Sequence, residues 1–388
     1  MNQKIIPKII FVTGCYRSGT TLLEKLLHSH KKIVVASQPF PVLYFYAKEK
    51  FYESISIKRR YPLGHLFLEN SYKLEDFYAF LERRVFSQLD LLEIFKRLEE
   101  YRIGLWTPEI LGFRDRFNPG KFFELYTQLN EFILEIFFRE GVSYVGSKEI
   151  LCEEYVPYLL SKKVKIIIIL RDPRDMITSL NFQKRGNLAG EIRPILYNLR
   201  LWRKSVAFAI ECERLSNFMW IKYEDLVKRP LEILNKIASF LGIEEFPFNI
   251  LKEEIKDQYG REWRGNSSFK TQNFISKDSI GKYKDFLSRD VVAYIESCCL
   301  PEMKYLGYKL SQIKDFDDKV LYSFKEPFQI THRKFSDGLD YSSINVKEEI
   351  ERYDKLIQAT PISNEEARRW FLFESAYLKY RSLSNEKK

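Results

Sequence analysis

Five short apolar runs carry the strand signal. Residues 8–14, 33–36, 142–146, 164–170 and 218–222 are rich in β-branched and aromatic side chains. The run Val164-Lys165-Ile166-Ile167-Ile168-Ile169-Leu170 is almost unbroken, the pattern of a strand covered on both faces of a parallel sheet. Helical periodicity follows over about 20–30, 152–162, 173–184, 194–213 and 230–241, which predicts βα repeats. Between the second and third strands there is no strong strand signal, and residues 74–102 and 121–140 have helical spacing. A helical insertion at about 41–140 is expected there, inside a domain covering 1–312. Residues 313–343 read as loop. Residues 346–359 and 364–381 read as two charged helices of a C-terminal extension, 313–388, that packs on the core or mediates dimerisation. The expected fold is three-layer α/β with a mainly parallel central sheet, a helical insertion and a helical appendage.

Two strand ends hold candidate chemistry. The first strand runs into Gly14-Cys15-Tyr16-Arg17-Ser18-Gly19-Thr20-Thr21, and Leu22-Leu23-Glu24-Lys25-Leu26-Leu27 then starts a helix. A strand, a glycine-spaced turn and a helix N-terminus aim several backbone N–H groups at one spot, which suits an anion. A nucleotide triphosphatase loop of this P-loop type has Lys after its second Gly. Here that residue is Thr20, and the nearest fixed cation is Arg17. The loop therefore suits a phosphate-like group and not a triphosphate with magnesium. The fourth strand ends in Arg171-Asp172-Pro173-Arg174-Asp175, with Pro173 fit for the first turn of a helix. Arg171 then lies at the carboxyl edge of the sheet, where such folds bind ligands, and Ser179 can face the same cleft two helical turns on. A guanidinium and a hydroxyl make a receptor for a phosphate monoester. An Arg171–Asp172 ion pair that merely closes the turn is the competing reading.

Arg17-Ser18-Gly19-Thr20-Thr21-Leu22-Leu23 resembles the loop with which PAPS-dependent sulfotransferases hold the 5′-phosphosulfate of 3′-phosphoadenosine 5′-phosphosulfate (PAPS). Arg171 with Ser179 eight residues on resembles the pair that binds its 3′-phosphate. The likeness covers roughly residues 8–310 and is nearest the tyrosylprotein and bacterial branch. It implies that Arg17, Ser18, Gly19, Thr20, Thr21, Arg171, Ser179 and Tyr223 bind the cosubstrate, and that Lys148 of Val145-Gly146-Ser147-Lys148-Glu149 acts with Arg17 in catalysis. Tyr223 opens Tyr223-Glu224-Asp225-Leu226. Arg264-Gly265-Asn266-Ser267-Ser268-Phe269 and Ser279-Ile280-Gly281-Lys282-Tyr283 resemble loops that close over the nucleotide, and residues 256–285 read as a lid. The implied activity is transfer of a sulfuryl group from PAPS to a hydroxyl of a carbohydrate, phenol, lipid alcohol or tyrosine, leaving PAP (adenosine 3′,5′-bisphosphate). A P-loop kinase of a small metabolite and a non-catalytic nucleotide-binding protein are the rivals.

One position departs from the family pattern. Where related enzymes end the second strand in a general-base Glu, this chain has Gln38, and an amide cannot take up a proton. Three explanations compete: another base among Glu49, Glu53, His65 and Glu149, an acceptor acidic enough to react with little help, or binding without turnover. The insertion's Tyr44, Phe45, Tyr46, Phe51, Tyr52, Trp106 and Phe113 either contact an aromatic-bearing acceptor or form packing core.

Charge and cysteines adjust this picture. The net charge is +10; residues 311–388 hold 14 basic and 14 acidic residues, so the excess lies in the first 310. A basic core suits a polyanionic cosubstrate. The four His residues, at 28, 30, 65 and 332, show no zinc spacing with Cys, and no metal is required. Five Cys, two of them adjacent, make poor material for a disulfide framework and fit a reducing compartment. With the first strand starting near Lys8 and no long apolar run, no signal peptide or transmembrane segment is expected. The expectation is a cytoplasmic enzyme with no nucleic-acid partner.

Overall fold

Strand side chains alternate between the two faces of a sheet, and each face here has its own apolar cover. Phe11, Val34, Ala36, Ile166 and Ile168 point one way; Ile10, Val12, Ile33, Val35, Ile167 and Ile169 point the other. The computed structural model describes residues 7–56, 72–100, 107–181, 192–263, 273–328 and 345–385. The strands are β1 (Lys8–Thr13), β2 (Ile33–Ser37), β3 (Val85–Phe86), β4 (Gly120–Lys121), β5 (Tyr144–Lys148), β6 (Lys165–Leu170) and β7 (Phe218–Lys222). Five of them form a parallel sheet in the order β2-β5-β1-β6-β7, and β3 pairs with β4 in a two-residue antiparallel ribbon. Helices Thr20–Ser29 and Pro230–Leu241 cover one face; Phe122–Ile136, Val156–Ser161 and Ile195–Cys212 cover the other. The expected three-layer α/β fold is what forms.

Register decides where the chemistry meets. Val12 of β1 and Ser37 of β2 both sit level with Lys148 of β5, and Thr13 pairs with Ile168 of β6. The loop after β1, Gln38, Lys148 and Arg171 therefore all emerge at one carboxyl edge, around the central strand where the chain reverses its direction of winding.

Two helical runs break where the sequence reading kept them whole. Residues 74–102 divide into Leu74–Arg83 and Gln88–Glu100. Ser87 and Asp90 cap the second of these reciprocally: Ser87 N donates to Asp90 Oδ2 at 2.7 Å and Asp90 N to Ser87 Oγ at 3.2 Å. Residues 364–381 divide into Asn364–Phe371 and Glu374–Asn385, with Leu372 between them at φ 71°. A short helix, Tyr223–Lys228, was not expected after β7; Pro230 starts a new helix directly behind it. Four of the insertion's aromatic residues are core. Tyr44, Tyr46, Phe51 and Tyr52 are buried, and Tyr44 packs against Phe11, Phe122 and Tyr155. Phe45 is half-buried, Phe113 is partly buried against the core, and Trp106 lies outside the described residues.

The C-terminal extension joins this core. Leu356, Trp370, Phe371, Tyr377 and Tyr380 belong to the same buried cluster as Phe208 and Met303. Buried charges reinforce the seam: Glu349 meets both Arg200 and Arg203 of helix Ile195–Cys212, and Arg352 meets Glu302.

Candidate functional site

Backbone geometry shapes the loop after β1. Arg17 sits at φ 59°, uncommon for a residue with a side chain, and Gly19 at φ 99°. A Cβ at residue 19 would run into the Tyr223 ring, so the tyrosine packs directly on the glycine backbone. Ser18 Oγ donates to Cys15 O at 2.7 Å and closes the turn. Gly19 caps helix Thr20–Ser29 without a side-chain bond, which leaves the first-turn N–H groups to a ligand. Burial pushes the Cys15 thiol far up, so it stays a neutral packing group. Gly19→Ala is expected to lower stability by about 1–3 kcal/mol, read as an earlier urea midpoint. Tyr223→Ala in the same chain should recover part of that loss, because the clashing ring is gone.

The second pocket opens beside the first. Arg171 leaves β6 and turns back toward the loop, its Nη1 donating to Arg17 O at 3.0 Å and its Nη2 to Ser279 O at 2.7 Å. Its guanidinium lies 4.5 Å from the Tyr223 ring centre, and its Nε is buried without a partner. Asp172 does not pair with Arg171; it holds Arg174 at 2.6 Å, and Arg174 also reaches Glu296 at 2.6 Å. The ion pair that would have explained Arg171 structurally is thus absent among the described residues. Arg17 Nε donates to Ser179 Oγ at 2.9 Å. Arg17 therefore bridges the two pockets, its backbone touching one cation and its side chain the serine. Burial first, then the like charge of Arg171, pushes the Arg17 guanidinium down to about 10.

Asp175 ties the 279–283 loop to this edge, accepting from Gly281 N at 2.7 Å and Tyr283 N at 3.0 Å. Trp202 Nε1 donates to Arg171 O at 2.8 Å and fixes the strand end from below. Residues 264–269, the other expected closing loop, lie outside the described residues.

Lys148 is the third cation. It is 1% exposed, makes no ion pair among the described residues, and donates to Gln38 Oε1 at 3.1 Å. Gln38 N returns a bond to Lys148 O at 2.8 Å, and Gln38 holds φ 43°. Burial pushes the lysine down, partly offset by the fields of Glu24 and Glu149. The sequence candidates for a base separate clearly. Glu149 is buried and accepts from Phe40 N at 3.1 Å. Glu49 pairs with Arg97 at 3.0 Å and Glu53 with Lys50 at 2.8 Å, both partly exposed. His65 lies outside the described residues.

Glu24 and Lys25 were not singled out from the sequence. They pair at 3.1 Å, buried within the first helix, and Lys25 also donates to Gln258 Oε1 at 2.9 Å. Two adjacent charges inside Leu22-Leu23-Glu24-Lys25-Leu26-Leu27 were the available signal. Among the described residues no group of His, Cys, Asp and Glu could hold a metal ion, and no helix is long and apolar enough to cross a membrane.

A family model described as "Sulfotransferase family" matches residues 7–247. The chain is similar to human carbohydrate sulfotransferase 1, 26% identical over 173 residues, covering 38% of this chain and 39% of that protein. The Danio rerio carbohydrate sulfotransferase 1 is 25% identical over 178 residues, covering 38% of each. The chain thus spans about two fifths of the length of these relatives. Among solved structures, the sulfotransferase domain from the curacin biosynthetic pathway aligns with TM-score 0.46 and 20% identity, covering 79% of this chain and 99% of that one. Retinol dehydratase in a complex with retinol and PAP aligns with TM-score 0.38 and 17% identity, covering 78% and 83%.

Proposed function

We propose, from the premise that this chain belongs to the sulfotransferase family, that it transfers a sulfuryl group from PAPS to a hydroxyl acceptor and leaves PAP. The observation that carries the reading is the pair Arg171 and Lys148: two buried cations at one sheet edge, neither ion-paired to a carboxylate among the described residues. Buried charges normally have counter-charges, so a site that leaves two without them is built for an anionic ligand. The orphaned Nε of Arg171 supports the same fit.

In this reading the N–H groups of residues 17–21, with the hydroxyls of Thr20 and Thr21, hold the 5′-phosphosulfate, and Ser18 shapes the turn that presents them. Arg171, Ser179 and the Arg17 side chain hold the 3′-phosphate, and Tyr223 walls the space between Gly19 and Arg171. PAPS supplies a sulfuryl group already bonded to a phosphate leaving group. Lys148 supplies positive field where charge develops on the bridging oxygen. The acceptor class includes sugar hydroxyls, in keeping with relatives named carbohydrate sulfotransferases, along with phenols, lipid alcohols and tyrosine. Five cysteines, all free and buried, support a reducing, cytoplasmic setting.

Thermal melts with PAP, ATP plus magnesium, and AMP test the nucleotide. PAP at a hundredfold excess over its Kd should add about 2.7 kcal/mol of stability. Stabilisation by ATP and not by PAP would identify a kinase instead. Arg171→Ala should weaken PAP roughly 10- to 100-fold, the scale of a hydrogen bond to a charged group, and leave AMP binding nearly unchanged. Turnover is read by mass spectrometry as acceptor products heavier by one sulfuryl unit.

A further inference from the structure

We infer that the acceptor arrives at this site already ionised, as a phenol or a hydroxyl of similar acidity, and is held as an oxyanion by Gln38 Nε2, with the charge of Lys148 behind the amide. The inference rests on the sulfuryl-transfer reading and narrows its acceptor.

The argument starts from the one hydrogen bond between these residues. A lysine has only donors, so the atom of Gln38 that it meets at 3.1 Å is the amide oxygen. That bond uses the oxygen and turns Nε2, with its two N–H groups, to the other side. Nε2 has no partner among the described residues. The backbone of Gln38 is fixed by the bond from its N–H to Lys148 O at 2.8 Å and by φ 43°, and flipping the amide would set two donors, Nζ and Nε2, against each other. Lys148 is closed off while Gln38 is half-buried, so the amide is the end of the pair that meets the cleft. The pair offers donors and no acceptor. It can stabilise a negative oxygen but cannot remove a proton from a neutral one.

No described carboxylate stands in for a base beside this pair. Glu149 follows Lys148 at the strand end, turns to the opposite face and caps Phe40 N. Glu24, whose field reaches Lys148 from the first helix, is closed into its pair with Lys25 and is fully buried. Lys25 itself faces Gln258, not the amide. Glu49 and Glu53 sit in partly exposed pairs elsewhere on the insertion.

The step then balances without an enzymic base. The acceptor gives its proton to water on ionising. Its oxygen forms a bond to sulfur, the bond between sulfur and the bridging oxygen breaks, and that electron pair goes to the 5′-phosphate of PAP. A phenol titrates near pH 10, within reach of two donors, whereas an aliphatic alcohol is far weaker.

The test compares phenol, para-nitrophenol and cyclohexanol, an aliphatic alcohol of similar size, as acceptors with PAPS. PAP binding to each variant is measured first. The native chain should favour phenol over cyclohexanol by at least about 100-fold, the scale of a general base's contribution. Gln38→Glu should raise the cyclohexanol rate about 100-fold and lower the phenol rate, because a carboxylate repels a phenolate. A second readout needs no turnover. In the complex with PAP, bound para-nitrophenol should show its phenolate absorbance band at a lower pH than the free phenol. Gln38→Met and Gln38→Glu should both move that band back. Cyclohexanol turnover within tenfold of phenol, or a band that does not shift, overturns the inference and leaves sulfuryl transfer standing. A native chain that binds no PAP takes down both.

Discussion

Lys148→Met is expected to cut turnover about 1000-fold while leaving the protein at least as stable as the native chain. The two halves of that expectation come from one fact. Lys148 carries a charge that is 1% exposed and has no carboxylate in bonding contact, only an amide oxygen at 3.1 Å. Burying an ammonium without a counter-charge costs several kcal/mol, and methionine fills similar space without that penalty. Removing one preorganised donor from a reacting oxyanion typically costs 100- to 1000-fold in kcat. Among the described residues Lys148 is the lysine that meets Gln38, so we place the loss at the upper end.

The pH dependence follows with its sign. Burial holds the folded Lys148 below its ordinary range, so between the folded and unfolded values the unfolded chain binds more protons. The native chain therefore gains stability relative to Lys148→Met as pH rises through that window. The gap favouring methionine is widest near neutral pH and closes toward the ordinary lysine range. Urea titrations of both proteins at neutral and alkaline pH measure it. A Lys148→Met protein that unfolds earlier at neutral pH, or keeps native turnover, contradicts the account of this residue.

The parts of this site that could be read from sequence are those determined by neighbours in the chain. Strand runs such as Ile166-Ile167-Ile168-Ile169 announce a doubly covered strand, and two glycines around Arg17 announce a turn that meets an anion. The carboxyl-edge position of Arg171 followed from the strand-to-helix order alone. Contacts between distant residues were not legible. Arg17 and Ser179 are 162 residues apart and Arg171 and Ser279 are 108 apart, and no local pattern marks them as partners. Asp172 looked like the natural mate of Arg171, yet the helix geometry hands it to Arg174, two residues on. The aromatic residues of the insertion were open to two readings, an acceptor wall or packing core. Periodicity alone cannot tell a ring on a pocket from a ring in a core; Tyr44 packs on Phe122 and on Phe11 of the sheet, and Phe51 packs on Phe77 and Phe80.

The tail was the least legible region, and Glu349→Gln should show how much of the fold depends on it. Glu349 is 4% exposed and reaches Arg200 at 2.8 Å and also Arg203, both fully buried in helix Ile195–Cys212. Removing the carboxylate leaves two guanidiniums buried with only part of their compensation, since Arg200 retains Glu348 at 2.8 Å. A broken buried pair typically costs about 3–5 kcal/mol, much of a domain's net stability. The two guanidiniums hold the Glu349 carboxyl down to about 2, against the opposing effect of burial. With the folded value depressed, its stabilisation is present above the ordinary carboxylate range and is lost as pH falls from there toward 2. The native chain should thus lose stability faster than the variant over that acid window. The same helix carries Trp202, whose indole holds Arg171 O. Loosening the helix should therefore weaken PAP binding as well as lower the urea midpoint, although Glu349 touches neither pocket. Replacing Glu349, Arg200 and Arg203 together with apolar residues of similar volume should lose much less stability than Glu349→Gln alone, because the fully buried charges leave together and only the partly exposed Glu348 loses a partner. If the single and triple variants unfold at the same urea concentration, the seam is held by packing around Trp370 and Tyr380 and not by the charge it encloses.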